Sequence, residues 1–66
     1  MAPIWKPQSF EVLNHWLDAI LSEASDELDD WETRFVDDMM IRVANKWALS
    51  QTQEEKLEQI YAKYTS

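Results

Sequence analysis

The chain contains no glycine among its 66 residues, and this absence restricts both its fold and its chemistry. The favoured two-residue β-hairpin turns need positive φ angles, which glycine adopts most easily, followed by Asn and Asp. Neither of the two Asn residues lies between alternating apolar segments, so an all-β fold is disfavoured. Glycine-rich phosphate loops, dinucleotide fingerprints and EF-hand calcium loops are excluded as well. The many Ala, Leu, Glu, Gln, Lys and Met residues favour helices instead.

Residues 1–8 are predicted to form an extended N-terminal arm. Pro3 and Pro7 each bias the preceding residue toward extended backbone. Because a free Trp side chain gains nothing in water, we expect the arm that carries Trp5 to pack on the helices. Residues 9–66 are predicted to form a single domain, since so short a chain supports one hydrophobic core at most.

Three stretches with apolar residues at helical spacing follow, at about residues 10–24, 30–47 and 51–64. Their short connections predict antiparallel neighbours, and hence an all-α three-helix bundle or a helical hairpin with a third helix across it. Ile41 lies off the apolar stripe of the second helix. The residues predicted to face the core in that helix are Trp31, Phe35, Val36, Met39, Met40, Val43, Ala44 and Trp47.

Each predicted helix has its own start signal. Ser9 is a suitable N-cap for the first helix. Asp29 and Glu32 have the spacing of a capping box at the start of the second, with Asp in place of Ser. Ser50 and Gln53 form a standard capping box before the third.

The aromatic content of the chain predicts a homodimer. Four Trp, two Phe and two Tyr residues are more aromatic surface than three short helices can enclose. Association of two copies is a common way for such small chains to complete their cores. We expect the interface to include Ile41 and aromatic residues such as Trp5 and Tyr64.

Negative charge is concentrated in one third of the sequence. The net charge is −7, and between residues 18 and 38 Arg34 is the only base. Such a surface can keep the protein soluble, dock a basic protein, or imitate nucleic-acid phosphates. Direct binding of nucleic acid is disfavoured by repulsion. The acids predicted to contact a partner are Asp18, Glu23, Asp26, Glu27, Asp29, Asp30, Glu32, Asp37 and Asp38.

The sequence offers few candidates for catalysis or metal binding. Glu11, His15 and Asp18 would share one face of the first helix, and these side chains can bind zinc or manganese. The alternative is a solvated face with ordinary pairs between successive turns. No cysteine is present, and the single His cannot be matched to any Ser in a nucleophilic arrangement. We therefore predict no enzyme activity, no cofactor and no metal.

The second half of the chain contains two patterns that begin at the predicted starts of the second and third helices. They are Leu28-Asp29-x-Trp31-Glu32-x-x-Phe35-Val36 and Leu49-Ser50-x-x-Gln53-x-x-x-Leu57-x-x-Ile60-Tyr61-x-Lys63. Together they resemble a small helical module of bacteriophage and prophage proteins. The resemblance implies a phage or prophage origin without an established activity, and small acidic phage proteins often bind and inhibit a host protein.

These observations predict a non-enzymatic interaction protein that binds a host or phage protein through an acidic and aromatic surface. An accessory subunit of a phage DNA-metabolism complex is the first alternative. A contiguous basic patch of Arg42, Lys46, Lys56 and Lys63 would favour it. A metal-dependent enzyme is the second alternative. Apolar runs of at most three residues predict neither a membrane span nor a signal peptide, and so a cytoplasmic protein.

Overall fold

The computed structural model describes residues 6–65, so the predictions for Trp5 and the rest of residues 1–5 lie outside the described residues. Within residues 6–65 there are three α-helices and no strand: α1 (Phe10–Ala24), α2 (Asp30–Ala44) and α3 (Gln51–Tyr64). The predicted all-α three-helix bundle is confirmed, and residues 6–9 precede it without helical structure.

Each helix begins beside the side chain predicted to cap it. The Ser9 hydroxyl accepts a hydrogen bond from the backbone N–H three residues later, at 3.2 Å. Asp29 and Glu32 exchange backbone-to-side-chain hydrogen bonds of 2.7 and 3.1 Å. Ser50 and Gln53 do the same at 3.1 and 2.9 Å. The three predicted caps are confirmed, because they depend only on residues within one helical turn.

The end of α2 differs from the prediction. The helix ends at Ala44 rather than at residue 47, because Lys46 adopts a left-handed φ of 60°. The Lys46 N–H donates to the Val43 carbonyl at 3.0 Å, and the Trp47 N–H donates to the Arg42 carbonyl at 2.8 Å. These two hydrogen bonds are those of a Schellman motif, whose left-handed position is usually occupied by glycine.

The core lies between one face of each helix. α1 packs most extensively against α3, and α2 and α3 approach each other least. Among residues 6–65 no helix combines the length and apolar character needed to cross a bilayer. The buried apolar side chains are Leu13, Leu17, Ile20, Ala24, Val36, Met39, Val43, Leu49, Leu57 and Ile60.

The predicted core stripe of α2 is too broad. Trp31 and Trp47 are each 55 % exposed, so their prediction as core residues is wrong. Ile41, which lay off the stripe, is 56 % exposed. Trp16 differs from these two tryptophans, because it is half-buried and packs against the core.

Candidate functional site: the acidic end of the bundle

The turn between α1 and α2 brings exposed carboxylates together at one end of the bundle. This end contains the last turn of α1, the first turn of α2 and the last turn of α3, since Lys63 and Tyr64 contact Glu32. We call the exposed acids here the acidic end. They are Glu23, Asp26, Glu27, Asp29 and Asp30.

Three other predicted acids are exposed but lie away from this end. Asp37 is seven residues beyond Asp30, which places it about 10 Å further along α2. Asp38 pairs with Arg42 one turn later, at 3.1 Å. Asp18 lies in the middle of α1. The predicted surface therefore divides into a cluster at the acidic end and separate acids along the helices.

Glu32 does not belong to the exposed surface, which corrects its prediction as a partner-binding residue. The residue is only 6 % exposed. It accepts hydrogen bonds from the Tyr64 hydroxyl at 2.6 Å and from the Asp29 backbone N–H at 3.1 Å. Lys63 Nζ donates to its other oxygen at 3.3 Å. We call these four residues the Glu32 network.

The side-chain hydrogen bonds among Glu32, Lys63 and Tyr64 shift the pKa values of these three residues. The hydrogen bond from the Tyr64 hydroxyl is the main reason that the pKa of Glu32 is lowered. Burial acts in the opposite direction, but the Asp29 backbone N–H and Lys63 also lower the pKa, and the net shift is downward. The same bond to the carboxylate raises the pKa of Tyr64. Hydrogen bonds to Tyr64 and then to Glu32 raise the pKa of Lys63. The ionised carboxylate is thus the form that the fold favours.

Apart from the capping box, no pattern in the sequence indicates this network. Glu32 and Tyr64 are 32 residues apart, so only the packing of α3 beside α2 brings them together. Tyr64 was predicted at an interface between copies. The structure places it half-buried, with its hydroxyl bound within the chain.

A shallow groove of about 180 Å³ separates α2 from α3 next to the acidic end. Lys56 lies on its α3 side and makes no ion pair with any residue in the range 6–65. Trp31 lies on its α2 side, where its ring stacks on Phe35 with the centroids 5.3 Å apart. The groove lining consists of Trp31, Glu32, Lys56, Gln59, Ile60 and Lys63.

The candidate metal ligands on α1 do not form a site. The His15 ring lies beside Tyr61, with its Nε2 3.4 Å from the phenol oxygen. Tyr61 also stacks on Trp16, with ring centroids 5.9 Å apart. In the described part of the chain, no three His, Asp or Glu side chains, including Glu11, His15 and Asp18, are grouped so that they could hold a metal ion.

Two of the four bases whose grouping would favour a DNA-metabolism subunit, Lys46 and Lys63, lie at opposite ends of the bundle. Lys46 lies over the ring of Phe10, at the start of α1, 5.3 Å from its centroid. Lys63 contacts Glu32 at the start of α2. Since α1 and α2 are antiparallel, these two contacts mark opposite ends of the bundle.

Comparisons of this chain with protein-family models, with curated proteins and with solved structures found no match.

Proposed function

We propose that this protein is a non-enzymatic interaction module that binds a basic surface of another protein through its acidic end. The observation that carries the proposal is the grouping of five exposed carboxylates at one end of the bundle. Lys63 reaches this end from α3, but its ion pair is with buried Glu32 and not with one of the five exposed acids.

A cluster of this kind attracts a basic partner from a distance. Exposed charges mainly increase the association rate and select the partner, while apolar contacts supply most of the affinity. Leu28, half-buried within the turn, and Trp31, just beyond it, are the apolar side chains beside the acids. Proteins that bind nucleic-acid phosphates carry the kind of basic surface that such a cluster would attract.

The resemblance to a phage module supports a host or phage protein as the partner. The module would then act in the bacterial cytoplasm, and binding could inhibit the partner. Formation of a homodimer, with Ile41 at the interface, is the second part of this proposal, because Ile41 is largely exposed in the single chain.

The test compares proteins retained from a host lysate by the wild type and by two charge variants. The acidic-end variant is Asp26→Asn, Glu27→Gln and Asp30→Asn. It leaves Asp29 and Glu32 in place, because both residues support the fold. The control changes the same number of exposed charges elsewhere, through Glu11→Gln, Glu55→Gln and Glu58→Gln.

We expect one basic protein to be retained by the wild type and the control but not by the acidic-end variant. Its association rate with the wild type should fall as salt is added, because exposed charges are screened beyond about 10 Å at 0.1 M salt. If all three proteins retain the same partner at the same rate, the acidic end only keeps the protein soluble.

A further inference from the structure

Four exposed residues of α2 form a stripe that no helix in residues 6–65 covers. Trp31, Arg34, Asp38 and Ile41 follow one another at spacings of three, four and three residues, and all four are exposed. This is the spacing of the a and d positions in a heptad, which form the contact seam of two-stranded coiled coils. We call these residues the α2 stripe.

The α2 stripe is separate from the face that α2 presents to the core. The core-facing residues of the helix are Glu32, Val36, Met39 and Val43. At 3.6 residues per turn, the α2 stripe lies on nearly the opposite side of the helix. Ile41 belongs to it, and Trp31 occupies its other end. The stripe therefore holds the two most exposed large apolar side chains of α2.

The stripe is complementary to itself when two copies are antiparallel. In an antiparallel pair, an a position of one helix faces a d position of the other. Trp31 and Asp38 occupy a positions, and Arg34 and Ile41 occupy d positions. When the two-fold axis crosses the stripe at the level of residue 36 along the helix, Trp31 faces Ile41 of the second copy and Arg34 faces Asp38 of the second copy. Because the interface is isologous, each of these contacts occurs twice.

A parallel pair lacks this complementarity. It would place Arg34 against Arg34 and Asp38 against Asp38, which adds repulsion between like charges. The antiparallel pair also suits a chain with a net charge of −7. Its contact stripe contains one acid and one base, and the two acidic ends lie far apart at opposite ends of the pair.

We propose that a second copy of this chain docks on the α2 stripe, in an antiparallel dimer with Trp31–Ile41 and Arg34–Asp38 contacts across the two-fold axis. The dimer leaves the acids of both α1–α2 turns exposed. This inference rests on the homodimer of the proposed function and names its contacts. Because Trp31 borders both the dimer contact and the acidic end, variants at positions 34 and 38, which leave Trp31 in place, separate failure of the dimer from failure of partner binding at the acidic end.

The decisive experiment mixes two charge-reversal variants, Arg34→Glu and Asp38→Arg, and measures mass by sedimentation equilibrium. Each variant alone faces two like-charge contacts, which should weaken its dimer about tenfold. In a mixed dimer both contacts join opposite charges. Equal amounts of the two variants should therefore form a dimer nearly as stable as that of the wild type. A purely intrachain role of Asp38, such as its pair with Arg42, cannot produce this recovery.

Two tryptophans of equal exposure provide a matched control. Trp31→Ala removes a stripe residue, whereas Trp47→Ala removes an equally exposed side chain outside α2. Trp31→Ala should weaken the dimer at least about tenfold, and Trp47→Ala should leave it unchanged. Because Trp31 also stacks on Phe35, Ile41→Asp serves as a second stripe variant with little effect expected on the single chain. Circular dichroism checks that each variant is folded.

Three results would overturn the proposal. The first is a wild-type mass of one chain from micromolar to millimolar concentration. The second is a dimer that the charge variants weaken but their mixture does not restore. The third is a dimer as sensitive to Trp47→Ala as to Trp31→Ala, which would place another surface of this chain at the contact.

Discussion

Two glutamates are buried in this small protein, one at each end of the bundle, and their surroundings differ. Glu32 is 6 % exposed and Glu54 is 4 % exposed. Glu32 accepts hydrogen bonds from side chains of α3 and from the backbone before α2. Among residues 6–65, Glu54 accepts from one group, the Gln8 backbone N–H, which lies 3.1 and 3.2 Å from its two oxygens.

The comparison shows that equal burial does not imply an equal contribution to stability. A buried carboxylate costs free energy unless hydrogen bonds and opposite charge compensate for its lost hydration. Glu32 has a phenol, a backbone N–H and an ammonium group for this purpose, and its pKa is lowered accordingly. At the other end, Glu54 connects α3 to the residues before α1 through one backbone donor.

The largest expected effect is a difference in unfolding free energy when each of the two glutamates is replaced by glutamine. Glu32→Gln removes the charge that Tyr64 and Lys63 bind, and should reduce the free energy of unfolding by about 2 kcal/mol. Glu54→Gln keeps an oxygen that can accept the Gln8 N–H, and should change it by less than about 0.5 kcal/mol. Urea unfolding at one protein concentration measures both. Equal losses would mean that the extra donors at Glu32 add nothing.

Acid should remove the advantage that ionised Glu32 has over a glutamine at the same position. Because its pKa is lower in the folded protein, its stabilisation is fully present above its ordinary pKa of 4.5 and is lost as the pH falls through the folded value. The stability difference between wild type and Glu32→Gln should therefore shrink below that pH. Unfolding curves at successive pH values provide the measurement. A difference that stays constant in strong acid would contradict a role for the ionised carboxylate.

The caps at the two ends should have smaller and similar effects. Asp29→Ala at the start of α2 and Ser50→Ala at the start of α3 each remove one member of a capping box. Each change should cost about 1 kcal/mol of unfolding free energy, seen as a lower melting temperature. Thr33→Ala, an exposed change within α2, is the control. If both cap variants melt with the wild type, the caps do not stabilise the helix starts.

The smallest effect is a gain in stability at the end opposite the acidic end. Lys46 adopts a positive φ, which is costly for any residue with a Cβ. Lys46→Gly should relieve this cost and raise the free energy of unfolding by about 0.5 kcal/mol, after the loss of its contact with Phe10. Lys46→Ala loses the same contact but keeps the Cβ, so thermal melting should show no gain for it.

The helix starts could be predicted from the sequence because the forces involved are local. Ser9, Asp29 and Ser50 bind backbone groups only three residues away, so spacing alone identifies them. The early end of α2 could not be predicted in the same way. A Schellman motif is normally recognised by its glycine, and here Lys46 takes that position.

The candidate site was only partly predictable, because exposure depends on distant packing. The acids at positions 26–30 follow from the turn between two predicted helices. Glu32 is not part of that exposed surface because it contacts Tyr64, and no local sequence pattern indicates this contact. Trp31 lies within a helical stripe in the sequence, but a helix in a three-helix bundle buries only part of its circumference, and Trp31 falls beyond the buried part.

The order in which the helices pack has a consequence for synthesis on the ribosome. Of the three helices, α1 emerges first, and it packs mainly against α3, which emerges last. Until Tyr64 has been added, Glu32 lacks the hydroxyl that compensates for its burial. In a nascent α1–α2 hairpin, this carboxylate would have to stay hydrated. The apolar face of the hairpin that α3 later covers would remain exposed to water. The chain should therefore fold in one step after α3 has left the exit tunnel, rather than helix by helix during translation.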